Sequence, residues 1–216
     1  MTTQRPAPRR RRLSAEDRRR RILQAAMAVF AQRGYHAASM AEIAADAGIA
    51  ASVIYDHFPS KADLHVALLE GQAAELLQST QAAVAAAPAG LAPRVRAGAD
   101  AFFAFVERHP YAWRMLFRDP PGEPSVAACH DRIHQQATDA IVAFLKSHAP
   151  SAHGRPEGDR AIEMFAQMLK MAQHGLAVWW YEHRDTPRDE LVDRLLDFCW
   201  TGLQRHLPPP TDTAPR

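Results

Sequence analysis

The sequence predicts an all-α fold of about nine helices, and three observations carry that reading. Apolar residues recur at i, i+3, i+4 and i+7 through nearly the whole chain. β-branched runs with alternating polarity, the mark of strands, are absent. Ser residues followed three positions on by an acid open the helical segments, and Gly or Pro punctuate them. The chain divides by the same signals into a basic arm (1–13), an N-terminal helical domain (14–78), a larger helical body (79–207) and a tail (208–216).

The arm is rich in Pro and Arg and has no apolar period, so it is expected to be disordered, as is the tail behind Pro208 to Pro210. Ser14 opens the first helix with Asp17 as its partner. Ile22, Ala26, Val29 and Phe30 give it an apolar stripe, and Gly34 is expected to end it. Ser39 and Glu42 form a second box, before a short helix carrying Met40, Ile43, Ala44 and Ala47. Gly48 then supplies a left-handed turn. A third short helix fits between Ala50 and His57, and Pro59 stops it. Ser60 and Asp63 open a long fourth helix to about Ala87. Pro88, Gly90 and Pro93 mark a loop. Helical patterns then cover 94–108, 110–118, 124–148, 159–183 and 188–206.

Composition excludes several classes. Hydrophobic residues are 47% of the 216, enough for a core. No run approaches the roughly 18 apolar residues of a membrane span, and the basic N-terminus lacks a secretory core, so a cytoplasmic location is expected. Cys129 and Cys199 are far apart and read as free thiols. His130 and His134 share a helix face, but two ligands do not make a metal site, so no metal or cofactor is expected. Charge is uneven: residues 1–61 hold eleven Lys or Arg and five Asp or Glu, within a chain of net charge +2. That asymmetry points to a polyanionic partner at the N-terminal end, nucleic acid or an anionic membrane.

Two short helices joined by a Gly turn behind a basic-flanked helix read as a helix-turn-helix over about 39–58. Such a second helix must protrude to enter a major groove about 12 Å wide. Ile43, Ala44, Ala47 and Ile49 are expected to brace it, and Val53 or Ile54 with Phe58 to pin it. The run SMAEIAADAGIAASVIYDHFPSKADL (39–64) resembles the signature of the TetR family of bacterial transcriptional regulators. The matching parts are Ile43 to Gly48, Tyr55 to Phe58 and the Pro-Ser-Lys that follows. The resemblance implies a DNA-binding head on a ligand-sensing, dimerising body. It implies that Ser39 touches a phosphate, that Ser52 and Val53 face base edges, that Tyr55 reaches sugar or phosphate, and that His57 and Lys61 bind phosphate.

The sequence departs from that pattern at Ala50, Ala51 and Asp56. Direct readout then rests on Ser52, on the methyls of Ala51 and Val53 against thymine, and on Asp56 toward cytosine N4. More weight falls on phosphates and on the arm, where Arg9, Arg10, Arg11 and Arg12 are placed to enter a minor groove.

In the body, the 159–183 segment is apolar on two faces, one through Ile162, Phe165, Leu169, Ala172, Leu176 and Trp179, the other through Met164, Met168, Met171, Gly175 and Val178. The resemblance implies that the last two helices pair with their copies, making a homodimer through residues such as Leu176, Trp179, Trp180, Leu195, Phe198 and Leu203. It also implies a small-molecule cavity among Phe102, Phe105, Trp113, Phe117, Phe144, Met164 and Met168, for which ordinary core packing is the alternative. Few charges fall in these stripes, so the expected effector is hydrophobic or aromatic.

The function read from this is a sequence-specific regulator, a repressor released from operator DNA by an apolar effector. Nonspecific nucleic-acid binding through the Arg-rich arm is the alternative. Phosphate loops, nucleophile motifs and metal-ligand sets are absent from the sequence, so an enzyme is not expected. The arm lacks an apolar helical face of the kind that holds a protein on a membrane.

Overall fold

A computed structural model describes residues 14–117, 122–148 and 156–204, without the side chains of 156, 157 and 200–204. The arm at 1–13 and the tail at 208–216 lie outside the described residues. The described residues form helices α1 (Ala15–Ala37), α2 (Met40–Asp46), α3 (Ala51–His57), α4 (Lys61–Ala86), α5 (Leu91–Arg108), α6 (Pro110–Phe117), α7 (Pro124–His148), α8 (Pro156–Glu182) and α9 (Arg188–Gln204). The expected all-α class with nine helices is what they show, and no strand occurs among them. They divide into two compact units, with the division inside α4 between Leu68 and Leu69.

Prolines explain where the boundaries differ from expectation. α6, α7 and α8 each begin on a proline, at Pro110, Pro124 and Pro156. At the first helical position the missing N–H costs nothing and the fixed φ suits the helix. Pro93 was expected to lie in a loop, but α5 begins at Leu91, so Pro93 falls in its first turn, where no intrahelical donor is lost. Gly90, at φ 114°, provides the turn before it.

In the first unit, Ser14 accepts a hydrogen bond from the Asp17 amide and starts α1. Gly34, at φ 75° and ψ 167°, breaks the helix where a stop was expected, and a short continuation reaches Ala37. Ile22, Ala26 and Phe30 of α1, Ile43 and Ala44 of α2, Ile54 of α3, Phe58, and Leu64 and Leu68 of α4 are buried. Each of the Ile, Leu and Phe side chains among them contributes about 1.5–3 kcal/mol relative to exposure.

The second unit has a main core of Ala99, Phe102, Phe103 and Val106 from α5, Trp113 from α6, Leu169, Ala177 and Trp180 from α8, and Leu191, Val192, Leu195 and Cys199 from α9. A smaller cluster joins Leu145 of α7 to Ile162 and Ala166 of α8. Ion pairs tie α5 to the α9 end of the chain: Arg188 to Asp100 at 2.9 Å and to Glu107, and Arg96 to Asp193. The bonds to Asp100, and then to Glu107, hold the Arg188 guanidinium even more firmly charged than usual.

Candidate nucleic-acid interface and effector site

The turn between α2 and α3 is built by backbone geometry. Ile49 N–H bonds the carbonyl of Ala44 at 3.0 Å, and Gly48 N–H bonds that of Ala45 at 3.0 Å. This doubly bonded C-terminal motif needs a left-handed residue, and Gly48 stands at φ 67°. At the other end of α2, Ser39 Oγ accepts from the Glu42 amide at 3.2 Å, while Glu42 Oε2 accepts from the Ser39 amide at 3.0 Å. The hydrogen bond from the Ser39 hydroxyl, then that from its amide, holds the Glu42 carboxyl below the ordinary carboxylate range. α2 is thus fixed at both ends, and Ile43, Ala44 and Ala47 are buried beneath it.

α3 is held differently. Ala50 at its start gives no side-chain cap. Ile54, rather than Val53, is the fully buried pin, with Phe58 buried just beyond it and the Arg19 guanidinium 4.5 Å from the Phe58 ring centre. Ala51, Ser52, Tyr55 and Asp56 are exposed, Tyr55 by 52%, while Val53 and His57 are half-buried. Ser39 is exposed as well. Arg9, Arg10, Arg11 and Arg12 lie outside the described residues.

Lys61, expected at a phosphate, has partners within the first unit. Its ammonium donates to the carbonyls of Tyr35 at 2.8 Å, Ala38 at 3.0 Å and His36 at 3.3 Å. Three acceptors match its three donors, so Lys61 closes the C-terminal end of α1. Sequence reasoning missed this because the partners lie more than twenty residues away.

In the body, Phe102 and Phe117 come together, with ring centres 6.1 Å apart. His174 of α8 joins them, 4.3 Å from Phe117 and 5.8 Å from Phe102. Trp113 is fully buried and stacks on Tyr181 at 5.5 Å. Phe105 is buried beside His109, and Phe144 packs with the Leu145 cluster. Met164 and Met168 are 59% and 57% exposed, on the face of α8 that also shows Met171, Val178 and Trp179. The apolar period is where the sequence placed it, and none of the described residues covers this face.

The residues expected at a dimer interface separate in the same way. Trp180 and Leu195 belong to the interior, where the Trp180 indole N–H donates to the Thr186 carbonyl at 2.9 Å. Leu176 is half-buried. Trp179 is exposed, and Phe198 is 80% exposed. The Leu203 side chain lies outside the described residues. Among the described residues no group of three or more His, Cys, Asp or Glu is placed to hold a metal ion, and no helix is long and apolar enough to cross a membrane.

A braced short helix ahead of a second helix with an open polar face is a helix-turn-helix, and the class it defines is that of DNA-binding regulators. Residues 22–68 match the family model of bacterial regulatory proteins of the tetR family, and residues 91–202 match that of a tetracyclin repressor-like C-terminal domain. The chain belongs to the tetR family. It is 33% identical over 198 residues to the HTH-type transcriptional activator FasR of Mycolicibacterium smegmatis, covering 91% of this chain and 87% of that protein. The crystal structure of a transcriptional regulator of Pseudomonas aeruginosa PAO1 is 21% identical, with a TM-score of 0.76 over 90% of this chain and 93% of that one. That of the transcriptional regulator FadR of Bacillus subtilis in complex with stearoyl-CoA is 16% identical, with a TM-score of 0.71 over 83% and 96%.

Proposed function

We propose that the chain is a homodimeric, sequence-specific transcriptional regulator whose hold on operator DNA is released by a small, largely apolar effector. The observation that carries this reading is the exposure of Ser52, Tyr55 and Asp56 on α3 above a fully buried Ile54. With Ile54 and Phe58 turned inward, the opposite face of α3 stands free and polar. Such a face is what a helix entering a major groove presents. Ser39 and His57 flank that face as phosphate contacts, and Arg9 to Arg12 add an adjacent groove contact.

The open apolar face of α8 and α9, with Met164, Met168, Trp179 and Phe198, supports the homodimer. Exposed apolar patches of this kind mark interfaces, and a two-fold dimer matches a palindromic operator. Phe102 and Phe117 are the centre of the effector site, with Trp113 behind them. Ligand binding there favours a dimer whose two heads no longer match half-sites one turn apart. Acting on operator DNA, the protein works in the cytoplasm as a repressor.

A second reading, activation, is favoured by the name of the Mycolicibacterium smegmatis relative. Transcription in vitro from a promoter beside the bound site separates the two. Repression requires transcript to fall on adding protein and to return with effector. A rise establishes activation. An unchanged transcript, with binding that fades steeply in salt, leaves only nonspecific binding through the arm.

A further inference from the structure

The effector site has a polar end that the apolar reading of the sequence did not anticipate. Lys170 of α8 is 6% exposed. Its ammonium donates to Thr138 Oγ1 of α7 at 2.6 Å and to the His134 carbonyl at 3.3 Å. An ammonium carries three donors, and among the described residues Lys170 makes no ion pair. The acids nearest in effect, Asp131 and Asp139, are on α7 and exposed, and Asp139 accepts from Gln135.

The groups beside Lys170 belong to the aromatic cluster. His134 lies 5.7 Å from His174 and 5.8 Å from Phe117, ring centre to ring centre. His130 stacks on His134 at 6.4 Å. His130 is 7% exposed, and its Nε2 has no hydrogen-bond partner. Burial lowers the basicity of all three imidazoles and of Lys170, and the Lys170 charge is felt at both His134 and His174. A cation with no ion pair among the described residues and an unpartnered ring nitrogen thus flank His134, whose own ring lies against Phe117 and His174. Buried charges are ordinarily paired, because a bare one costs several kcal/mol.

We propose that the effector is an amphipathic carboxylate whose head is held by Lys170 with the His130–His134 pair, and whose apolar part lies along Phe102, Phe117 and His174. One cation among neutral imidazoles matches one negative charge. A multiply charged head would bring uncompensated charge into the same place. This inference rests on the proposed effector site and names the class of ligand that fills it.

The test uses the full-length protein without DNA, so it is independent of operator release. Dodecanoate, dodecanol and dodecanoyl-CoA are titrated calorimetrically against the wild type, Lys170→Met and Lys170→Arg. Methionine keeps the buried stem and removes the charge, and circular dichroism checks that each variant folds. Dodecanoate should bind the wild type at least about tenfold tighter than dodecanol. That preference should vanish in Lys170→Met and return in part in Lys170→Arg. Equal binding of acid and alcohol, full binding of dodecanoate by Lys170→Met, binding of dodecanoyl-CoA alone, or no binding of dodecanoate would each overturn the proposal. Carboxylate binding that depends on Lys170 but leaves operator affinity unchanged would keep the site and overturn the release mechanism instead.

Discussion

Lys61 Nζ lies 2.8 Å from the Tyr35 carbonyl oxygen and 4.5 Å from the centre of the Tyr35 ring. The first residue of α4 thereby closes the last turn of α1, where Gly34 has broken the helix and left carbonyls to satisfy. Removing the charge by Lys61→Met should destabilise the first unit by about 1–3 kcal/mol, the range for hydrogen bonds to a charged group, allowing for partial solvent screening. Chemical denaturation followed by circular dichroism measures it. Lys61→Arg should recover part of the loss, and a phosphate-contact role alone would leave stability unchanged in both.

Tyr55→Ala separates folding from DNA binding. The side chain is half in solvent, so stability should change by no more than about 0.5 kcal/mol. Operator affinity should fall about tenfold or more, while the salt dependence of the remaining binding persists. Fluorescence anisotropy with an operator duplex over a salt series reads both.

Phe198 and Met168 test the dimer. Both are largely exposed on the single chain, so Phe198→Glu and Met168→Glu should leave the fold intact. Buried against a second copy, either glutamate would be an unpaired charge. Light scattering after gel filtration should show half the wild-type mass, and operator affinity should drop with it. Trp180→Glu, by contrast, should unfold the body, because Trp180 is interior.

His174 gives the body a pH dependence of known sign. Burial, aided by His134 and Lys170, holds its imidazole at about 4 against an ordinary 6.5. The unfolded chain takes up a proton in that interval and the folded chain does not. Stability should therefore fall as pH is lowered from 6.5 toward 4, in addition to the general loss from carboxylate protonation. His174→Phe should flatten that part of the profile, since the ring already stacks on Phe102 and packs at a tilt against Phe117. Thermal melting across the interval measures it.

The first unit was largely legible because its signals are local. Ser39 with Glu42, and Gly48 at a left-handed turn, act within a few residues, and the structure places them as the spacing required. The pinning residue was readable only as Val53 or Ile54, since adjacent positions on a short helix differ by rotation alone. Lys61 escaped because its partners are distant in sequence. In the body, periodicity located the apolar faces of α8, but a stripe does not say what covers it. Trp180 turned out interior and Met164 and Met168 exposed for that reason. The Lys170 cluster was hidden by the same rule in reverse. A polar residue on a helix ordinarily reads as solvated, and only the spacing of His130 with His134 and of Lys170 with His174 hints at two polar faces meeting.

The proposed function has α3 reading a specific sequence in the context of a two-fold dimer. Selection of binding sites from random duplex DNA, run in parallel for the wild type and Tyr55→Ala, tests it most directly. The expected result is an enriched palindrome with half-sites about one helical turn (34–36 Å) apart, absent with the variant. No enriched sequence for the wild type, with affinity that collapses as salt is raised, would contradict it.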